Sequence, residues 1–149
     1  MGPALISVRS ARRGDFERLR ELTFESKAHY GYDRDFVRRW AAGLTFESEE
    51  ERWVAEAGEE IVAWAALAPP GAGIAVLDDL WVDPAWLGRA VGSRLFGIAA
   101  DRARELGAER LEWGAEENAL GFYSKVGGHL VRTYLTEWGR EGQWYGMDL

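Results

Sequence analysis

Leu80-Trp81-Val82-Asp83-Pro84-Ala85-Trp86-Leu87-Gly88-Arg89-Ala90-Val91-Gly92-Ser93-Arg94-Leu95 carries a strand into a helix through a turn of small residues. The strand begins at Ala75, in a run rich in apolar and β-branched residues. The helix follows because Val91, Leu95, Ile98, Ala99 and Leu106 recur on one face, which predicts Ala90 to Leu106 with Gly107 as its stop. Gly88, Ala90 and Gly92 lack the bulk that would hold a ligand away, so amides at the helix start can point at phosphate oxygens while the helix dipole favours negative charge. Arg89 adds a cation. The spacing is neither the dinucleotide G-x-G-x-x-G nor a nucleoside triphosphate loop. Small residues at such a turn also serve simple packing, and spacing alone leaves both readings open.

Upstream, Leu5-Ile6-Ser7-Val8 reads as a strand within Ala4 to Arg9. Phe16, Leu19, Leu22 and Thr23 then recur at helical spacing behind Asp15, and the segment fades near Tyr30-Gly31-Tyr32. Asp33 is placed to cap a second helix carrying Phe36, Val37 and Trp40, which ends by Gly43. The acidic stretch Glu47 to Glu51 reads as a connector. Arg52 to Glu56 and Ile61 to Ala68 flank Gly58-Glu59 as a hairpin, its second strand apolar enough to be central, and Pro69-Pro70-Gly71-Ala72-Gly73 is expected to break it. Downstream come a strand over Glu109 to Gly114, a short helix from Asn118 to Val126 stopped by Gly127-Gly128, and strands over Leu130 to Tyr134 and Trp144 to Leu149. Without repeat, low-complexity tract or linker, residues 1–149 read as one domain. The order predicts an α/β or α+β layered fold, a mixed sheet covered by helices.

The 149 residues are 47% apolar and 29% charged, enough to bury a sizeable core. Eighteen Lys and Arg against twenty-five Asp and Glu give a net charge of −7, which argues against nucleic acid or an anionic membrane as partner. Without cysteine there is no disulfide, no thiolate metal site and no cysteine-bound acyl intermediate. The start has no basic region followed by a long apolar stretch, and no apolar run approaches the ~20 residues of a membrane span, so a cytoplasmic protein is expected. His129 and the acid clusters lack metal-ligand spacing, and no metal is expected. The eight tryptophans are scattered over every element and read as core and rim packing.

The opening stretch resembles the acetyl-CoA motif of the GNAT superfamily of N-acetyltransferases, usually written Gln/Arg-x-x-Gly-x-Gly/Ala. This copy departs at two places: Leu87 stands where Gln or Arg is usual, and Ala90 where the middle Gly is usual. Glu117-Asn118-Ala119-Leu120-Gly121-Phe122-Tyr123-Ser124-Lys125-Val126-Gly127 resembles the Asn-Ala-x-x-Phe-Tyr-x-x-x-Gly stretch of one GNAT branch. Glu25-Ser26-Lys27-Ala28-His29-Tyr30-Gly31-Tyr32-Asp33 resembles the Ser-Lys-Ala-His-aromatic-Gly-Tyr stretch of the same branch. The resemblance implies a mixed, mostly antiparallel seven-stranded sheet flanked by about four helices. It implies acetyl-CoA as co-substrate and transfer to a primary amine of a small molecule or protein, with dimers common in the family. Leu80, Trp81, Val82, Leu87, Gly88, Arg89, Ala90, Val91, Gly92, Ser93, Asn118 and Phe122 would line the cofactor. Tyr123 would protonate the departing thiolate, and Lys27, His29, Tyr30 and Tyr32 would shape the acceptor side. Taken without the family, Phe122 and Tyr123 also read as core aromatics, Asn118 as an N-cap, and Lys27 and His29 as surface or capping residues.

An alkyl ammonium with a pKa near ~10.4 must lose a proton before it can attack a thioester. Asp78 and Asp79 are the acids best placed to accept it, with His29 acting through water as the fallback. Alternation along a strand sends the two aspartates to opposite faces unless a bulge intervenes, so one of them is expected at the site. The plain alternative is an acid bonding neighbouring backbone amides. In this fold the strand splays near its C-terminal end, and open amides around Leu80 to Val82 would face the thioester. Trp138 and Trp144 flank Gly139 to Gln143, read as a loop bordering the acceptor. A coenzyme-A-binding module without turnover is the alternative reading, kept open by Leu87, Ala90 and the unassigned base.

Overall fold

The computed structural model describes residues 5–47, 49–115 and 120–149. They form one seven-stranded sheet made of β1 (Ile6–Ser10), β2 (Glu51–Ala57), β3 (Glu60–Gly71), β4 (Ile74–Val82), β5 (Arg110–Ala115), β6 (His129–Leu135) and β7 (Glu141–Asp148). The spatial order is β1-β2-β3-β4-β5-β7-β6, and every neighbouring pair is antiparallel except β4 with β5. Four helices accompany it: α1 (Phe16–Ala28), α2 (Arg34–Ala42), α3 (Val91–Glu105) and α4 (Leu120–Lys125). This is the layered α/β arrangement read from the element order, with four helices on a mixed, mostly antiparallel sheet.

β3 is buried on both faces. Ile61, Trp64 and Ala66 pack on Leu19 and Leu22 of α1, whereas Ala63, Ala65 and Leu67 pack with Leu95, Phe96, Ala99 and Ala103 of α3. An apolar residue at nearly every position is what a two-sided central strand requires. The small alanines on each face let helices come close. On the α1 side one polar contact is wholly enclosed: the Thr23 hydroxyl donates to the Leu19 carbonyl (2.7 Å) and accepts from the Trp64 indole N–H (2.9 Å). Asp33 caps α2 as expected, its side chain accepting from the Phe36 amide.

Two differences from the sequence reading have clear causes. β3 runs on through Pro69-Pro70 to Gly71, where termination was expected. Ala68 pairs with Val76 and Gly71 with Ile74, so the two prolines face only Ala75 across a bulge, a position at which proline's missing N–H breaks no ladder. β7 begins at Glu141, three residues before the predicted Trp144, because Glu141, Gly142 and Gln143 pair with Leu135, Tyr134 and Thr133. The expected loop thus contracts to the turn between β6 and β7, closed by the Thr136 amide donating to the Arg140 carbonyl at 2.8 Å. Trp138 on that turn reaches the α1–α2 region, edge-on to Tyr32, Phe36 and Trp40.

α3 starts without a side-chain cap. Ala90 is its N-cap in the left-handed region (φ 63°), two residues after Gly88 at φ 77°. A Cβ in that region is costly, by about 1–2 kcal/mol. Ala90→Gly should therefore raise the stability of the protein by about 1 kcal/mol, read as a higher midpoint in urea at unchanged slope. Thr23→Val should do the reverse, because it orphans the buried Trp64 N–H; a loss of about 1–3 kcal/mol is expected in the same titration.

Candidate active site

The parallel pairing of β4 with β5 is short: Ile74 with Arg110, Ala75 with Leu111 and Val76 with Glu112. Beyond Val76 the two strands part. β4 continues to Val82 on β3 alone, while Trp113, Gly114 and Ala115 of β5 stay paired with β7. A bulge marks the place. Ala66 pairs with Asp79 and Leu67 with Leu77, leaving Asp78 as the extra residue on β4, and such an insertion bends and twists its strand.

A cavity of about 930 Å³ fills the opening, within the size range of small-molecule sites. Its walls come from three directions. Leu77 to Val82 and Gly114-Ala115 form the parted strands, Leu87, Gly88 and Ala90 to Ser93 the turn into α3, and Gly121, Phe122, Tyr123 and Lys125 the face of α4. The first bond within α3 is donated by the Arg94 amide to the Ala90 carbonyl, so the amides of Val91, Gly92 and Ser93 precede it, as the first N–H groups of any helix do. They are positioned for an anion. A Cβ at Gly92 would lie 3.5 Å from Val82 and 3.7 Å from Phe122, so glycine keeps open space that a longer side chain would fill. A diphosphate with a thin pantetheine arm fits this combination of helix-start amides and a narrow gap between strands.

Most of the residues predicted for the site meet here. Leu80, Trp81, Val82, Leu87, Gly88, Ala90, Val91, Gly92, Ser93 and Phe122 line the cavity, with Asp78, Asp79, Tyr123, Lys27 and Tyr30. Three do not. Arg89 lies over the Trp86 ring, 4.7 Å from its centre; His29 is exposed and edge-on to Tyr30; Tyr32 is buried behind Lys27, whose Nζ sits 4.2 Å from the Tyr32 centroid and 4.5 Å from that of Trp138. Lys27 itself is buried, a placement its surface reading did not anticipate. Asn118 lies outside the described residues. Both aspartates reach the cavity, because the bulge at Asp78 cancels the alternation that predicted one.

Several lining residues went unassigned from the sequence, and most of them carried no signal: Ser26, Trp86, Gly114, Lys125 and Tyr134. Lys125 had one, sitting two positions after Tyr123 in the quoted stretch and in the last turn of α4. Glu50, read as part of a connector, was missed altogether. Its side chain contacts Asp78 just behind the cavity wall.

The electrostatics separate acid from base. Burial, then the negative charge of Asp79, pushes the Tyr123 phenol well above the usual tyrosine range, so it keeps its proton. Burial likewise raises Asp79 to about 6, with Asp78 adding to the shift and the Trp81 indole N–H, donating at 3.0 Å, opposing it. Burial raises Asp78 as well, against its contact with Glu50. Glu50 rises to about 7, through burial first and then the charges of Asp78 and Asp79. Carboxyl groups shifted towards neutrality beside a phenol held neutral are a pairing suited to proton transfer in both directions.

Comparison with known proteins agrees with this geometry. The family model described as the acetyltransferase (GNAT) family matches residues 13–128. Among solved structures, a GCN5-related N-acetyltransferase (aminotransferase, class-II) of Rhodopseudomonas palustris superposes with a TM-score of 0.80 at 21% identity, covering 100% of this chain and 99% of that one. The PaiA N-acetyltransferase of Thermoplasma acidophilum, solved in complex with coenzyme A, gives 0.78 at 18% identity over 97% and 99%. The ribosomal-protein-S18-alanine N-acetyltransferase of Escherichia coli gives 0.75 at 15% identity over 97% and 94%. No curated protein sequence matches the chain. No helix among the described residues is long and apolar enough to cross a membrane, and among them no group of His, Cys, Asp or Glu is arranged to hold a metal. With the family model spanning most of its length, the chain belongs to the acetyltransferase (GNAT) family and is an acetyl-CoA-dependent acetyltransferase.

Proposed function

We propose that the protein is a single-domain N-acetyltransferase that acetylates a primary amine, on a small molecule or a protein, by direct attack within a ternary complex. One observation supports this above the rest: the gap between β4 and β5 joins the start of α3 to Tyr123 and to the paired acids Asp78 and Asp79 in one cavity. The α3 amides and Gly88 to Ser93 would hold the diphosphate, with Lys125 on the opposite wall as a cation. Bound acetyl-CoA supplies the acetyl thioester. With no cysteine in the chain, an acetyl-cysteine relay is impossible, which fits direct attack by the amine.

The residues then divide the work. Asp78 and Asp79 collect the ammonium proton, a task for which a carboxylate shifted towards neutrality is better matched than an ordinary one. Amides of β4 beyond Val76 face the developing oxyanion; one such donor is typically worth about 3 kcal/mol. Tyr123 gives its proton to the departing sulfur. Lys27 and Tyr30, on the α1 side of the same cavity, shape the acceptor end. The acidic balance of the chain favours approach of a cationic acceptor.

Acetyl-CoA at a hundred times its dissociation constant should stabilise the fold by about 2.7 kcal/mol, seen as a rise in Tm; no rise at millimolar ligand would remove the cofactor from the site. Tyr123→Phe should lower kcat by about 100-fold or more in a thiol-release assay against polyamines, amino acids, aminoglycosides and lysine peptides, with the acetyl-CoA Tm rise intact. A variant as active as the parent would take Tyr123 out of the mechanism.

A further inference from the structure

Three strands set the inner side of the acid site. Arg52 of β2, Ala66 of β3 and Asp79 of β4 stand in one cross-strand row. Ala66 is fully buried and has only a methyl group, so it leaves room between the side chains of β2 and β4. Glu50, two residues ahead of Arg52, enters the same space. Its carboxyl contacts Asp78, and its Oε2 is buried with no hydrogen-bond partner. Arg52 Nη2 is 4.0 Å from the other oxygen, too far for a hydrogen bond, and donates instead to the Glu47 carbonyl at 2.6 Å. Two carboxyl groups in contact, one with an oxygen that no N–H or O–H reaches, are relieved by a proton held between them.

We propose that Glu50 and Asp78 form a proton-sharing pair in which Asp78 meets the acceptor ammonium and Glu50, set back from the cavity, holds the proton that Asp78 collects. The role rests on the acetyl-transfer reading above. Alone and open to the cavity, an aspartate has a reference pKa near ~3.9 and is a weak base at neutral pH. The second carboxylate behind it disfavours full ionisation, so the pair binds a proton near neutrality as a unit. The groups facing the pair are Asp79, with its Trp81 bond, and Tyr123 on the cavity side, Arg52 on the β2 side, and Lys27 of α1 and Tyr30 of the turn after it on the same cavity.

The proton count closes. The ammonium gives one proton to Asp78, and it is held between Asp78 and Glu50. The freed nitrogen lone pair forms the C–N bond as the C–S bond breaks, and the sulfur takes the phenolic proton of Tyr123. The second nitrogen proton returns to the phenolate. The pair then releases its proton to water, so that ammonium and thioester give amide, thiol and one proton. Glu50 touches no reacting atom and is a positioning residue.

Two measurements test the pair. In the whole protein, the carboxyl carbon of Glu50 should titrate by NMR with a midpoint near 7, and Asp78→Asn should lower that midpoint by more than one pH unit; a Glu50 midpoint below 5 in the wild type overturns the pair. In turnover, Glu50→Gln should move the acid limb of the pH profile of kcat/KM down by about one unit and lower its plateau about tenfold, while Glu50→Asp keeps the limb within half a unit and acetyl-CoA affinity stays within twofold. Identical limbs in wild type and Glu50→Gln overturn the proposal. A wild type that binds acetyl-CoA but acetylates no amine overturns the acetyl-transfer reading, a distinct outcome because the titration is read without turnover.

Discussion

The structure depends on a ladder that stops. β4 and β5 are the one parallel pair in the sheet, and they hold together over three residue pairs before separating at Val76 and Glu112. Parallel strands usually gain from continuous pairing between covering layers, so ending it early needs a cause and a compensation. The cause lies on β4, where Asp78 is inserted as a bulge and turns the outer half of the strand. The compensation lies on either side: β3 keeps pairing β4 to Val82, and β7 keeps pairing β5 to Ala115. Each strand is thus held at its outer edge and free at its inner one. The opening is a cleft with rigid walls, and the helix that follows β4 begins at its rim.

That geometry puts polar groups where the fold would otherwise bury apolar ones, at a cost to stability. Glu50, Asp78 and Asp79 all have carboxyl pKa values above their ordinary range, with burial as the first cause. A carboxyl group raised in the folded state contributes stability that is fully present below its unfolded pKa and is lost as pH rises through the folded value. For these acids the loss runs from the ordinary carboxylate range up to about 6 for Asp79 and about 7 for Glu50. The molecule is therefore strained most by its own site in the pH range where an ionised carboxylate is wanted. The large core formed by β3, α1 and α3 carries that cost.

Periodicity made most of this legible before any coordinates. The two-sided apolar run of β3, the helical face of α3 and the Asp33 cap depend on local spacing and burial, and local spacing is what a sequence displays. The small-residue turn at Gly88 to Ser93 was readable for the same reason. Where pairing between distant residues decides, the sequence was silent. Pro69-Pro70 looked like a stop because the bulge that accommodates them is set by β4. Asp78 and Asp79 looked like alternatives because a second bulge on the same strand brings both inward. Glu50 looked like connector charge because its partner Asp78 lies on β4, separated from it in sequence by the whole β2–β3 hairpin. Lys27 looked like a surface residue because Trp138, which covers it, is more than a hundred positions away.

One enclosure serves two opposite ends in acid and base. Burial disfavours the charged form of any group, so it holds a phenol protonated and raises the proton affinity of a carboxylate. Tyr123 and the aspartates share the wall of one cavity, and Asp79 further disfavours the Tyr123 phenolate through its charge. A drier cavity would strengthen both tendencies together: the acid would be more reliably protonated, and the base would hold its proton more tightly. The limit comes from the base, which must be ionised at working pH to begin the reaction. Asp78 is the more open of the two aspartates, and the Trp81 indole stabilises the ionised form of Asp79. Partial access to water and one donated hydrogen bond keep the carboxylates within reach of neutrality, while Tyr123, enclosed among Phe96, Trp113 and Tyr145, stays on the protonated side.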